Sequence, residues 1–264
     1  MTSALILAGK RHAVVDPLTA AAGVSHKCLV PVANLPMISH VANALAASPE
    51  IGQMRVSIEE IAIIEQVPAL QQLQSAGRLE AVQARPNLAD SVIAASRGLG
   101  FPLLITTADA VLLTPATINE MLAATQGADA AVAFARREDV LAAHRDGQRR
   151  FYRFGEASYS NCNSYWLRDA TALSLVENFR SGGQFAKNPL RIVGAFGLLN
   201  LIRFHYGIGT LASTFERFSQ RFDKTIRPIV LSDGAAAIDV DNMRTHAIAE
   251  QLLLTRAPMA IAAE

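Results

Sequence analysis

The sequence predicts an α/β protein built on a mixed, mostly parallel sheet, and three observations carry that expectation. A short apolar run, ALILAG, ends in glycine near the N-terminus and is followed by ISHVANALAAS, whose apolar residues recur at helical spacing. Strand-like and helix-like segments then alternate as far as about residue 135. From about residue 136 polar and aromatic residues alternate around a D-G pair, as in antiparallel strands and hairpins.

Taken in chain order, ALILAG is a buried strand and ISHVANALAAS a helix. Further strands are expected at VSIEEIAII, LEAVQ, PLLITTAD and ADAAVAFARR, with helices VPALQQLQSAG, DSVIAASRGLG and PATINEMLAAT between most of them. RREDVLAAHRDGQRRFYRFGEASYSNCNSYWL extends the sheet with antiparallel strands. Residues 169–222 read as a helical insertion, IRPIVLSDGAAAIDVDN as a return to strands, and MRTHAIAEQLLL as a last helix. The expected organisation is one domain over residues 1–255, interrupted by that insertion, and a tail at 256–264. Ligands of such sheets sit beyond the carboxyl ends of the strands, so the loops after strands are where chemistry is sought.

Composition narrows the function. Hydrophobic residues make up 51% of the chain, enough for a substantial core, while 24 Lys plus Arg nearly cancel 23 Asp plus Glu. No global basic field is present, which excludes nonspecific nucleic-acid binding. Cys28 and Cys162 have no zinc spacing and read as small buried residues, which agrees with a reducing compartment and a cytoplasmic location. His12, His26 and His40 form no metal triad by spacing. The N-terminal apolar run is too short for a secretory signal. The apolar stretch at 192–209 is interrupted by Asn200, Arg203 and His205, which suits a core or interface helix and not a transmembrane segment. Neither G-x-G-x-x-G nor G-x-x-x-x-G-K-[ST] follows the first strand, so dinucleotide and P-loop chemistry lose support.

Four segments remain: LILAGKRH, HKCLVPVANLPMI, ITTADAVLLTP and IDVDNMRTH. In this order they resemble the nucleotidyltransferase family that includes molybdenum-cofactor guanylyl- and cytidylyltransferases and sugar-phosphate nucleotidylyltransferases. That family shares an LAxGxGxR loop, a PKxLxPV segment, an aspartate ending a central strand and a late acidic residue. The resemblance spans residues 4 to about 254 apart from the insertion, and the lysine segment is its most specific part. It implies a Rossmann-like sheet of the nucleotide-diphospho-sugar transferase type. It also implies Mg²⁺-dependent transfer of a nucleoside monophosphate from a nucleoside triphosphate to a small phosphorylated acceptor, with release of pyrophosphate. CTP is slightly preferred over GTP, because the IDVDN ending and compact size resemble cytidylyltransferases acting on phosphorylated alcohols.

That chemistry brings two anions together, so cations and a metal must offset their repulsion and hold attacking and leaving oxygens in line. By resemblance, Lys27 and Arg11 are the catalytic cations, and Ala8, Gly9 and Lys10 cradle the triphosphate, as backbone N–H groups of a tight loop do for anions. Mg²⁺ takes hard oxygen ligands, and Asp109 and Asp241 are the expected pair, with Asp239 as helper. Strand alternation through IDVDN would send Asp239 and Asp241 to one face. Asn87 and Ser91 occupy the place where relatives contact base and ribose, although N-L-A-D-S is equally a helix cap. Asn161 and Asn163 lie in YSNCNSYW, which resembles the acceptor-touching NxGxY strand, and Lys187 is a further candidate for the acceptor phosphate. The insertion is expected to cover a bulky acceptor or to make a homodimer contact.

Two features depart from the family pattern: Gly9 is followed directly by KRHAVVDP instead of further glycines, and histidine replaces the proline before the lysine. The glycine-poor loop suggests a second reading, a noncatalytic nucleotide-binding regulator on the same scaffold. A glycosyltransferase ranks last, because its D-x-D belongs at a central strand's end, whereas DVD here lies near the C-terminus.

Overall fold

The computed structural model describes residues 1–9, 16–177 and 208–256. Lys10, Arg11, His12, Lys187, most of the stretch at 192–209 and all but the first residue of the C-terminal tail fall outside them.

The centre of the molecule is β1 (Thr2–Leu7), with parallel neighbours β4 (Ile51–Ile58) on one side and β6 (Leu103–Thr107) on the other. Alternation along β1 feeds two cores. Ala4 and Ile6 join the layer of α2 (Met37–Ala46) and α3 (Pro68–Ser75), while Leu5 packs with Leu103, Ile105 and α4 (Leu88–Ser96) on the opposite face. A central strand covered by helices on both faces is the doubly wound arrangement that parallel strands require.

Beyond β4, β5 (Leu79–Gln83) forms one edge. On the other side, β9 (Ala157–Leu167) inserts antiparallel between β6 and β7 (Ala130–Arg136), and β10 (Ile226–Leu231) completes the sheet parallel to β7. β8 (Tyr152–Phe154) joins β9 as a hairpin whose two-residue turn places Gly155 at φ 62°. The order is therefore β10-β7-β9-β6-β1-β4-β5. This is the Rossmann-like, mixed, mostly parallel sheet expected from the sequence.

Four local expectations are corrected. The strand read at VSIEEIAII starts earlier, at Ile51, and stops at Ile58; Ile61–Gln66 is a 3₁₀ turn that buries Ile63 and Ile64. Arg137–Ala143, expected as hairpin, is a helix, α6, with Glu138 and Asp139 in its first turn, where the helix dipole favours acids. Gly147 of the D-G pair is a contact point instead of a hairpin turn: a Cβ there would meet Ile238 Cδ1 at 2.5 Å. The stretch 238–242 is irregular backbone and not a strand.

Within 169–222 the described parts are mainly helical, with α7 (Leu173–Glu177) and α8 (Leu211–Phe222). Phe215 of α8 meets Phe134 edge-on at 5.6 Å, in a cluster with Phe154 and Tyr159, so α8 is fastened to the β7–β9 end of the sheet. The chain closes with α9 (Met243–Arg256). No helix among the described residues is long and apolar enough to cross a membrane.

Candidate active site

Lys27 sits on a 3₁₀ turn, Lys27–Leu29, ahead of a two-strand hairpin, β2 (Pro31–Val32) and β3 (Leu35–Pro36). The connecting Ala33 and Asn34 have φ of 46° and 67°, the pattern of a tight I′ turn. Cys28, Val30 and Val32 are buried on either side of the chain's path, so the segment is pinned while the ammonium is left at its border. His40 Nε2 is 2.8 Å from the Val32 carbonyl and His246 Nε2 is 2.7 Å from that of Pro31, while Glu250 accepts from the Ala33 N–H at 3.3 Å. Helices α2 and α9 thus hold the hairpin from two sides.

The Lys27 ammonium donates to Asp109 Oδ2 at 2.7 Å and to Asp241 Oδ1 at 2.9 Å. These partners come from residues 82 and 214 positions away, so the fold alone brings them together. Burial pulls the Lys27 ammonium down, but Asp109 and Asp241 more than offset it and hold its pKa above the ordinary lysine value. It stays charged throughout the physiological range.

Asp109 lies two residues beyond β6. Thr107 donates to its Oδ1 at 2.6 Å, and its carbonyl accepts the Val240 N–H at 3.1 Å, which ties the late segment to the central strand. Neither acid serves as a helix cap. Thr114 caps the helix Pro115–Ala123, α5, and Asn242 Oδ1 accepts the Arg244 and Thr245 N–H groups at the start of α9. Thr245 Oγ1 accepts the Asp241 N–H at 2.9 Å, leaving the carboxylate for Lys27.

Asp239 and Asp241 differ from the same-face expectation because their segment is not a strand. Asp239 is 8% exposed, whereas the Asp241 side chain is 56% exposed. Asn163 Nδ2 donates to Asp239 Oδ2 at 2.6 Å, and Asp239 Oδ1 is buried with no hydrogen-bond partner among the described residues. Burial, then the charges of Asp109 and Asp241, push the Asp239 carboxyl well above the usual carboxylate range, and Lys27 opposes them.

The remaining predicted residues divide. Ala8 continues β1 through its N–H to the Ser57 carbonyl at 2.9 Å, and Ala108 N–H reaches the Leu7 carbonyl at 3.0 Å, so the loop at Ala8 and Gly9 leaves the same sheet edge that carries Asp109. Asn161 Oδ1 accepts the Asn163 N–H at 2.6 Å and its Nδ2 donates to the Tyr165 hydroxyl at 3.3 Å. Burial pushes that hydroxyl up to about 12.

Asn87 and Ser91 are engaged locally. Asn87 Oδ1 caps α4 by accepting the Asp90 N–H at 2.8 Å, and the Ser91 hydroxyl accepts the Arg85 N–H at 2.8 Å while lying 3.0 Å from the Asn87 carbonyl. Both shape the 85–91 loop, and the hydrogen bonds of their side chains are local. Thr107, Thr245, His40, His246 and Glu250 were not anticipated, since caps and carbonyl contacts leave no spacing pattern in sequence.

Among the described residues no group of three or more His, Cys, Asp or Glu side chains is arranged to hold a metal ion. The donor chemistry at Lys27 nevertheless suits Mg²⁺: two hard carboxylates converge on one point, and Mg²⁺ takes one or two protein carboxylates with phosphates and waters making up the rest.

A doubly wound sheet on which a pinned lysine meets one acid beyond the end of β6 and another from the late irregular segment is a nucleotidyltransferase-type fold. The chain belongs to the MobA-like NTP transferase domain family, which matches residues 4–184. No curated protein matches it. Solved structures share the fold: a hypothetical transferase from Thermus thermophilus has a TM-score of 0.75 at 22% identity, covering 93% of this chain and 99% of its own. The 4-diphosphocytidyl-2C-methyl-D-erythritol synthase of Anaerococcus prevotii gives 0.61 at 10% identity, with 96% of each chain covered. A nucleotidyl transferase from Methanothermobacter thermautotrophicus gives 0.56 at 14%, covering 97% of this chain and 99% of its own.

Proposed function

We propose that this protein is a Mg²⁺-dependent nucleotidyltransferase that moves a nucleoside monophosphate from a nucleoside triphosphate, CTP in preference to GTP, to a small phosphorylated acceptor. The observation that carries the proposal is the meeting of Lys27, Asp109 and Asp241 at one point. A phosphate oxygen of the acceptor forms a bond to the α-phosphorus, the bond from that phosphorus to the bridging oxygen breaks, and pyrophosphate leaves. Asp109 and Asp241 would hold Mg²⁺, which when bound neutralises phosphate charge. Lys27 supplies a fixed positive charge to the reacting phosphates, and the loop at Ala8 and Gly9, with Lys10 and Arg11, receives the triphosphate. Asn161 and Lys187 are assigned to the acceptor side, while the Asn163 amide, expected there too, is taken up by Asp239, and Asn87 and Ser91 are assigned to shaping the nucleotide loop. Support for CTP comes from the 4-diphosphocytidyl-2C-methyl-D-erythritol synthase among the structural neighbours. We place the activity in the cytoplasm, in one domain over residues 1–255, with the 169–222 insertion covering the acceptor or pairing two copies.

A thermal-shift panel with CTP, GTP, UTP and ATP, each with and without Mg²⁺, tests nucleotide choice. Pyrophosphate release over phospho-alcohols and sugar phosphates tests transfer. One nucleotide should stand out and release should require an acceptor. Binding without release would favour the regulator, a reading supported by the glycine-poor loop.

A further inference from the structure

The β7–β9 ladder is interrupted midway, where β9 runs past its pairing with β6. Val132 pairs with Tyr165 and Phe134 with Asn161, so three residues of β9 face one of β7. Bulges of this kind re-aim a side chain, and they concentrate beside active sites. The middle residue, Asn163, has φ 49°, in the left-handed region that favours glycine and that asparagine tolerates among the other residues. Cys162 and Ser164 on either side are both 1% exposed, and the Asn161 side chain grips the Asn163 N–H at 2.6 Å. The bulge is therefore held from within the sheet, and it aims one amide at the late acidic segment.

That amide meets Asp239, which is more than nine-tenths buried and has one oxygen without a hydrogen-bond partner among the described residues. The Asp239 carbonyl in turn accepts the Asp241 N–H at 3.0 Å, and Val240 between them is tied to the Asp109 carbonyl. Fixing the Asp239 side chain thus fixes the turn from which the Asp241 carboxylate reaches Lys27.

We propose that Asn163 is a positioning residue: by holding Asp239 it sets the 239–241 turn so that Asp241 faces Asp109 and Lys27 at the spacing the substrate-bound metal needs. The inference builds on the function proposed above. It gives Asp239 a part in orientation instead of in ligation. Groups that orient ligands from behind change metal affinity by about 10–100-fold when removed.

The test compares the wild type with Asn163→Gly, which removes the amide while suiting the left-handed backbone, and with the exchange Asn163→Asp/Asp239→Asn, which keeps one amide facing one carboxylate. The readout is the Mg²⁺ concentration giving half of the melting-temperature rise that Mg²⁺ adds to CTP, with CTP alone and ligand-free protein measured alongside. Asn163→Gly should need about tenfold more Mg²⁺ or beyond, with the CTP-alone response unchanged, and the exchange should return most of the loss. A general folding defect would instead move the CTP-alone and ligand-free values. Wild-type Mg²⁺ dependence in Asn163→Gly, or an exchange variant as impaired as Asn163→Gly, would overturn the inference while leaving the function standing. No Mg²⁺-dependent nucleotide response in the wild type, with any of the four nucleotides, would bring down both.

Discussion

Replacing Asp239 by asparagine should stabilise the ligand-free protein, by an amount that grows with pH. Asp239 is buried, holds one hydrogen bond from Asn163, and leaves Oδ1 without a partner among the described residues. Burial first, then Asp109 and Asp241, raise its pKa well above the unfolded value of about 3.9, with Lys27 acting in the opposite sense. Between those two values the native state binds the proton that the unfolded chain has released, so stability falls as pH rises above about 3.9 and levels off beyond the native pKa. Asparagine carries no such dependence. Its oxygen can accept the Asn163 amide, and it carries no ionisable carboxyl in a place where burial, Asp109 and Asp241 disfavour negative charge. The gain is the cost of keeping that carboxyl ionised, about 1–3 kcal/mol as for an uncompensated buried group, and it is absent where the carboxyl is protonated. For a chain of this length roughly 2 kcal/mol corresponds to a rise of about 4–8 °C in Tm. The assay is thermal or urea unfolding of wild type and Asp239→Asn in EDTA, without nucleotide, from pH 3.5 to 8. The two should converge near pH 3.5 and separate above it until the native pKa is passed. A variant less stable than wild type at pH 7.5, or an advantage equal at pH 4 and pH 7.5, would refute the assignment of a buried carboxyl with a raised pKa.

Three further outcomes follow from the same geometry. Lys27→Met should leave the far-ultraviolet circular dichroism unchanged and lower acceptor-dependent pyrophosphate release about 10²–10³-fold, the usual cost of one charge-stabilising donor. Arg55→Met should cost about 2–3 kcal/mol by urea unfolding, since it strips the carbonyls of Ala95 and Arg97 of donors at 2.8 and 2.7 Å as well as the pairing with Glu80; the half-exposed Glu80 keeps the figure below that for a fully buried pair. Asn87→Ala should lower stability by about 1 kcal/mol through loss of the α4 cap, and a nucleotide affinity unchanged in the same variant would separate capping from base contact.

What the sequence revealed and what it hid have different physical causes. The helices covering β1 and β6 were legible because their apolar spacing and flanking Gly and Pro agree with their burial. The segment 51–55 was missed as strand because Gly52, Gln53 and Arg55 break the apolar pattern; Arg55 is buried only because Glu80 and two carbonyls receive its guanidinium. Arg137–Ala143 was misread because six of the residues from 136 to 153 are arginines, whose solvated side chains hide a helix that buries Val140 alone.

At the site the contrast is sharper. Lys27, Asp109 and Asp241 stand in recognisable segments at the ends of pinned or central elements, so their types and order sufficed to nominate them. The Asn161–Asn163–Asp239 connection depends on a β-bulge and on a left-handed asparagine, and neither leaves a periodicity to read. Strand alternation, applied to IDVDN, predicted that Asp239 and Asp241 would share one face. The 3₁₀ turn Gly234–Ala237 and the backbone contact between Asp241 and Asp239 instead rotate one acid inward and leave the other at the surface. Two identical side chains two residues apart thereby acquire different work: the exposed one meets Lys27, and the buried one, tied to β9, decides where the exposed one points.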